Sequence, residues 1–538
     1  MKNSNLLNVW LNKNVFNEQE LKTLQTLNKE EQLARFSSPL IFGRAGLRLP
    51  IGIGSNHFNR HTIKQLILAI INIFQKVEKN FQTLKIAVFH DARKHSKEFT
   101  LLTAEILSSY GMKVKLFPKN DVAPSPFLVY LLTQKQIDYG LMITASHQTK
   151  EINGCKLFVR NQGIADSKFV DLINNEIQKN HLHFLTQTFQ SQPKLISEID
   201  LRSKQTYFQK IQKYLNLPHD PQIKILYSSL HGCGAGWTDQ LLKETGFAVS
   251  LVEKQCFLDP NFTTVDDPNP ENDKSFALAL KQAQIEKPNL IILNDSDADR
   301  MRVACLTSEG YKLFSGNEIA TIFIYFLLDE LKRKGKIYMT EVSTNLIYKI
   351  SENYGCQTKS TATGFANLAK KYSQDSKKDF LFAFEESIGF LLNRNINNDK
   401  DGIQAAFFIV QIANFLQFQN KTLWDYLVNI YKKYGYFSYG NSKIKLNNAQ
   451  EVKEIFEKIH NLKRIEKIIV TKNIKHFEKD KNDVQQVFFE NGCWVGCRES
   501  VTEPIFKFYF VCRNISADVS KTNLINLKKS WMHEFKIQ

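Results

Sequence analysis

The chain has 538 residues, 43% hydrophobic and 23% charged, a globular balance that excludes a mainly disordered or fibrous protein and predicts several domains. A formal net charge of +17 invites an anionic partner, yet the lysines are spread along the chain without an arginine-rich block, so nucleic acid is not expected. No membrane is expected either. The most apolar windows, 66–74 and 405–416, fall short of the roughly 20 apolar residues a span needs, and residues 1–7 are too polar for a signal-peptide core.

Taken in order, residues 17–36 read as one polar amphipathic helix, with Asn17 as cap and Glu20 in capping-box position. A glycine-punctuated loop carrying Arg44 and Arg48 follows, then a second glycine turn from Gly52 to Ser55. The pattern next predicts a strand over 85–89 with the loop His90-Asp91-Ala92-Arg93, a helix over 97–110 stopped by Gly111, and a strand over 113–117. The apolar run 139–143 reads as a buried strand leading into Thr144-Ala145-Ser146-His147. A second α/β round runs from a strand at 222–227 to a strand at 289–293, followed by Asn294-Asp295-Ser296-Asp297-Ala298-Asp299-Arg300. A third carries a strand at 337–340, a helix at 344–354 and a strand at 380–384 running into Glu385-Glu386-Ser387-Ile388-Gly389. Past Phe418 the composition shifts to alternating strands with a helix near 451–459, a smaller α+β domain. Strand-helix-strand order implies mostly parallel sheets flanked by helices.

The eight cysteines, Cys155, Cys233, Cys256, Cys305, Cys356, Cys493, Cys497 and Cys512, form no CxxC pair. Several stand in apolar segments, so reduced core thiols of a cytosolic protein are expected. Zinc is not, because Cys493 and Cys497 lack His or Cys neighbours.

Two loops carry chemistry. A hydroxyl on the turn after a buried strand sits where open α/β sheets place ligands, which makes Ser146 a candidate nucleophile. Carboxylates at 295, 297 and 299 converge from one strand-end loop, the hard-oxygen set that magnesium selects. A third segment, Arg498-Glu499-Ser500-Val501-Thr502-Glu503-Pro504, completes an unusual set.

In this order the motifs resemble the α-D-phosphohexomutases, the phosphoglucomutase and phosphomannomutase superfamily, over nearly the whole chain from Phe42 to Phe510. Ser146-His147 with Asn153-Gly154-Cys155-Lys156 looks like the family's phosphoserine loop, and Asp295 to Arg300 like its metal loop. The stretch from Pro260 to Val265, followed by Pro268-Asn269-Pro270-Glu271, is similar to its second domain. Glu385 to Gly389 with Lys400-Asp401-Gly402 looks most like the subgroup of phosphopentomutase-type and bisphosphate-synthesising members.

The resemblance implies three similar α/β domains with mixed sheets and a C-terminal α+β domain, heart-shaped around a central cleft. The boundaries would be 1–205, 206–308, 309–430 and 431–538. It implies an intramolecular phosphotransferase interconverting sugar 1-phosphate and 6- or 5-phosphate through a phosphoserine and a bisphosphate intermediate. One Mg²⁺ per chain would lie between Ser146 and Asp295, Asp297 and Asp299, with a sugar bisphosphate as activator. Lys156 is the first candidate for proton transfer and His147 the second, while Arg300 and Arg48 would steady developing charge. Glu385, Ser387 and Lys400 match sugar contacts, and Arg498, Ser500 and Thr502 the distal phosphate loop. The partner would be a phosphorylated monosaccharide, the location cytoplasmic, and the assembly a monomer or weak dimer.

Several residues depart from the family pattern. Val501 stands where glycine is usual and Glu499 where proline is; Gln148-Thr149 replaces Asn-Pro. Arg44 and Leu49 replace small residues, and Ala366 a frequent lysine. The serine and metal loops keep every charged residue, so altered substrate recognition is expected. The alternatives are a sugar bisphosphate synthase and a catalytically weak binding or regulatory homologue. A haloacid-dehalogenase-like phosphatase would explain the aspartates but not the serine loop.

Overall fold

The computed structural model describes residues 5–215, 217, 220–446, 448–466, 468–476, 484–500 and 505–535. They fall into two compact units, the first made of residues 1–216, 224–301 and 393–407, the second of 217–223, 302–392 and 408–538.

The first unit begins with helices Asn5–Asn12, Glu18–Gln25 and Lys29–Arg35. The cap at Asn17 forms with Glu20 as the sequence predicts, but the single helix expected over 17–36 is two. Asn28 caps the second with its own box to Glu31. An asparagine that satisfies helix-start amides through its side chain competes with helix continuation through that point. The three helices close over a cluster of Leu7, Trp10, Leu24, Phe36, Ile53 and Leu185. Glu20 ties them down, accepting from Arg60 (Nε 2.8 Å, Nη2 2.7 Å) and lying 3.2 Å from His61 Nε2. Burial raises the Glu20 pKa, but these bonds outweigh it and hold the carboxyl far below its ordinary value. A depressed folded-state pKa gives stability that is present above the unfolded value and lost as pH falls through the acid range. Glu20→Gln is therefore expected to cost about 1 kcal/mol at pH 7, with the gap to wild type closing in acid. Equal melting temperatures at pH 7 would refute this.

Next comes a mixed sheet whose strand order is Leu47–Pro50, Ile152–Val159, Tyr139–Ile143, Lys85–His90, Lys113–Leu116, Ile196–Glu198. The last four run parallel, and the two leading strands pair antiparallel. Helix Arg60–Val77 buries Ile63, Leu66, Ile67, Ile70 and Phe74 in the core of this sheet, where Ile86, Val88, Leu141 and Ile143 also lie. A buried side chain of that size contributes roughly 1.5–3 kcal/mol. A parallel trio, Leu290–Asn294 beside Lys224–Ser228 beside Ala248–Leu251, forms part of a five-stranded sheet. Both Tyr139–Ile143 and Leu290–Asn294 are buried at every position, as their apolar sequences require.

In the second unit, Lys336–Thr340 lies between Thr358–Thr361 and Phe380–Glu385, parallel to both, with Gly389–Leu391 antiparallel at the edge. Its last sheet is six-stranded and antiparallel, running from Tyr436–Lys445 through Ile505–Asn514, Cys493–Glu499, Val484–Phe489 and Ile468–His476 to Arg464–Ile465. Helices Ala449–His460 and Ala517–Glu534 accompany it, and Trp531 is fully buried against Phe508 and Phe510. Here one expectation fails. The register places Cys493 opposite Cys512 with Cα atoms 4.0 Å apart, and the two form a disulfide. Cross-strand register, invisible in Cys spacing, brings them together. The other six cysteines are free thiols.

Candidate active site

Strand Tyr139–Ile143 ends at Thr144, and the chain then turns so sharply that Ser146 takes φ 54°, a left-handed conformation unusual for a side chain with a Cβ. The Thr144 hydroxyl accepts from the Ser146 amide at 2.8 Å and helps hold that turn. Its product is a buried hydroxyl aimed at one carboxylate, for Ser146 Oγ donates to Asp295 Oδ2 at 2.7 Å. Across 149 residues of sequence, the serine loop and the aspartate loop therefore meet.

The aspartates follow strand Leu290–Asn294, and Ala298, at φ 56°, turns the loop back. Gly232 supports it from below, where a Cβ would fall 2.5 Å from Ser296 Cα. Asp295, Asp297 and Asp299 are buried and present carboxylate oxygens all within 4.8 Å of one another. Lys156 Nζ reaches Asp297 at 2.6 Å and Asp299 at 2.7 Å, and Lys400 Nζ lies 3.3 Å from Asp299. Arg300 donates its amide to Asp295 Oδ1 at 3.1 Å and stands 3.8 Å from Asp299 with its guanidinium. Burial, followed by the charges of Asp299 and Asp297, pushes the Asp295 carboxyl well above its ordinary range. Burial would raise Asp299 too, but Lys156, Lys400 and Arg300 outweigh it and hold that group far below its usual value. The donor set fits a magnesium-like cation. Its oxygens are hard and come from one loop, and Asp297 Oδ1 is buried without accepting a hydrogen bond.

Other expected residues fall into place unevenly. His147 Nδ1 lies 3.3 Å from Ser146 Oγ, whereas the Lys156 ammonium is committed to two carboxylates. Burial lowers the Lys156 pKa, but Asp297 and Asp299 overcome that and keep it above its ordinary value. Of the two groups expected beside the hydroxyl, Lys156 first and His147 second, His147 contacts Ser146 Oγ and Lys156 contacts the aspartates. Arg48, on the strand facing Gly154, is half-buried; desolvation lowers its pKa, Arg300 and Arg93 lower it further, and Asp297 and Asp299 act against them. Lys400, expected among the sugar contacts, stands beside Asp299 at the edge of the aspartate cluster. The glycine two residues on allows this approach, since a Cβ on Gly402 would fall 2.5 Å from the Arg300 carbonyl.

In the second unit, Glu385 ends its strand buried, and the neighbouring Glu386 accepts from the Thr340 hydroxyl at 2.6 Å. Burial, reinforced by Glu385, raises the Glu386 carboxyl. Ser387 follows in the turn and is half-buried. Arg498 donates to the Tyr509 hydroxyl (Nη2 2.9 Å, Nε 3.2 Å) and feels the charges of Glu386 and Glu385. Ser500 is buried and its amide donates to the Ile505 carbonyl at 2.8 Å. Thr502 and the departure at Val501 lie outside the described residues.

Sequence reading missed the buried residues that brace the two loops. Ser125 donates to Asp297; of Asp91 and Arg93, recognised only as a loop, Asp91 accepts from Thr144 and Ser296 in the two loops, and Arg93 donates to the Ser146 carbonyl. The available signal was a carboxylate and an arginine at the carboxyl end of a parallel strand, where such sheets place their sites.

Comparison with known proteins identifies the family. Residues 39–183, 205–308 and 315–434 match the phosphoglucomutase/phosphomannomutase α/β/α domains I, II and III. A phosphoglucomutase of Staphylococcus haemolyticus is 31% identical over 522 residues, covering 90% of this chain and 92% of its own. A phosphomannomutase of Mycoplasma genitalium is 28% identical and covers 98% of both. A human glucose 1,6-bisphosphate synthase is 29% identical, covering 97% of this chain and 92% of its own. Among solved structures, the parafusin phosphoglucomutase of Paramecium in its open form has a TM-score of 0.71 at 16% identity, covering 92% of this chain and 94% of its own. At that identity it speaks for the fold alone. Three α/β domains with mixed sheets and a C-terminal domain built on its own sheet define the class as phosphohexomutase-like. The chain belongs to the α-D-phosphohexomutase superfamily of phosphoglucomutases and phosphomannomutases.

Proposed function

We propose that this protein is a phosphosugar mutase working through phosphoserine at Ser146. The observation that carries the reading is the 2.7 Å hydrogen bond from the Ser146 hydroxyl to Asp295, inside a cluster of three buried aspartates. The phosphoryl group on Ser146 passes to the free hydroxyl of a sugar monophosphate. As the new bond from phosphorus to the sugar oxygen forms, the bond to the serine oxygen breaks, and the sugar hydroxyl's proton passes by way of His147 to the serine oxygen, giving a bisphosphate and a free Ser146 hydroxyl. After reorientation the other phosphoryl returns to Ser146 and the isomeric monophosphate departs. Asp295, Asp297 and Asp299 would hold Mg²⁺, which when bound supplies neutralisation of the phosphoryl oxygens.

His147 and Lys156 are the groups for proton transfer. His147 is near enough to take the proton of the serine oxygen, and Lys156 stands as a charged donor. Arg300 and Arg48 steady charge beside the cluster. Glu385, Ser387 and Lys400 are proposed for the sugar, and Arg498, Ser500 and Thr502 for the phosphate not being transferred. The four-domain division at 205, 308 and 430, a cytoplasmic location, a monomer or weak dimer, and priming by a sugar bisphosphate belong to the same reading. A relative named glucose 1,6-bisphosphate synthase supports a second reading, a synthase using the same serine with another phosphoryl donor, and the altered loop at Glu499 and Val501 a third, a catalytically weak binding or regulatory homologue.

The test is incubation with Mg²⁺ and the 1-phosphates of glucose, mannose, ribose and deoxyribose, with and without a bisphosphate primer, reading 6- or 5-phosphates and the intact protein mass. Isomerisation with a covalent phosphate supports the mutase. Net bisphosphate formation from an added donor, without isomerisation, favours the synthase. Neither product and no bound phosphate would leave a binding homologue.

A further inference from the structure

We infer that Arg93, paired with Asp91, is a positioning residue that locks the nucleophile loop in its reactive shape and ties it to the aspartate loop. This rests on the reading of Ser146 as nucleophile. Arg93 follows strand Lys85–His90 and is buried. Its Nη1 donates to the carbonyls of Thr149 (2.7 Å) and Ile152 (2.8 Å), and its Nη2 to those of Ser146 and Gln148. Four carbonyls of one seven-residue turn, 146–152, thus converge on one guanidinium. Nε stands 3.3 Å from Asp91 Oδ2, and the Phe262 ring covers the group with its centroid 4.9 Å from Cζ.

Asp91 continues the connection. Its Oδ2 accepts from the Thr144 hydroxyl at 2.6 Å and from the Ser296 hydroxyl at 2.6 Å, and its Oδ1 from the Arg93 amide at 3.0 Å. Through Thr144, which accepts from the Ser146 amide, an unbroken buried chain runs from the aspartate loop to the nucleophile. Burying a guanidinium is costly unless its protons find acceptors, and here both terminal nitrogens are spent on loop carbonyls. None of the four is aimed at a reacting group, so Arg93 acts through Ser146. Only a planar fork reaches carbonyls on residues 146, 148, 149 and 152 together; a lysine ammonium is a point donor. Released, the turn would relax from the left-handed conformation at Ser146 and move the hydroxyl off its line to Asp295.

The test compares wild type, Arg93→Lys and Phe262→Leu in the full chain, by mutase kinetics and by hydrogen–deuterium exchange. Arg93→Lys is expected to lower kcat about 100-fold with KM within about 3-fold, because the substrate contacts are untouched while the hydroxyl is misplaced. Phe262→Leu, which removes only the ring, is expected to lower kcat about 3–10-fold. In both, amide exchange should rise at 146–152 while the rest of the first unit keeps its protection. Unchanged exchange at 146–152, a uniform rise across the unit in both variants, or a kcat within 2-fold of wild type for Arg93→Lys would overturn the inference. If wild type neither turns over nor carries phosphate, the mutase reading fails by itself, and the exchange data still decide whether Arg93 holds the loop.

Discussion

Ser146→Ala is expected to abolish turnover, lowering kcat by about 10⁴-fold or more, as removal of a covalent nucleophile does where neighbouring groups act only through it. The intact mass should lose any phosphate increment at the same time. The substitution deletes one hydroxyl and nothing that the fold needs. Alanine carries the same Cβ into the left-handed turn at φ 54°, and the amide that Thr144 accepts from and the carbonyl that Arg93 donates to are both backbone. The variant should therefore melt within a few degrees of wild type, so that lost activity reports chemistry. Near-normal turnover, or covalent phosphate persisting in the variant, would refute Ser146 as the phosphoryl carrier.

Asp297→Asn should have the next largest effect, about 10³-fold in kcat, with a lost response to Mg²⁺. Asp297 has two roles. Its Oδ2 takes the Lys156 ammonium at 2.6 Å and the Ser125 hydroxyl, while Oδ1 is buried and accepts no hydrogen bond. Such an oxygen is costly to bury by itself and suits a cation. Asparagine keeps the shape but removes this carboxylate's negative charge, and its amide can turn a donor toward the ammonium or the cation. Calorimetry supplies a second readout. Where Mg²⁺ binds the native state alone, a concentration of 100 Kd stabilises by about 2.7 kcal/mol. Wild type should melt higher with Mg²⁺ than with a chelator, and Asp297→Asn should show little difference. A variant whose melting temperature still rises with Mg²⁺ as wild type does would remove Asp297 from the cation site.

Elements whose signal is local were legible in the amino-acid order. Asn17 with Glu20 announces a helix start because the capping bonds span three residues. The buried strands before Ser146 and Asp295 announce themselves as short apolar runs bounded by polar turns. The same logic misled at residues 17–36, where amphipathic spacing continued through Asn28 although its side chain starts a second helix.

What the sequence by itself determined is the chemistry available: a hydroxyl after one strand, three carboxylates after another, and the glycines that let backbone approach them. Each is a property of a few consecutive residues, because strand ends and tight turns are set by local sterics. What only the tertiary structure decided is who partners whom: Ser146 with Asp295, Lys156 with Asp297, Asp91 with Ser296, Cys493 with Cys512. Those contacts join segments up to 205 residues apart. They follow from how the sheets are ordered and packed, and a hydrogen bond of about 3 Å leaves no tolerance for a neighbour that is merely close in sequence.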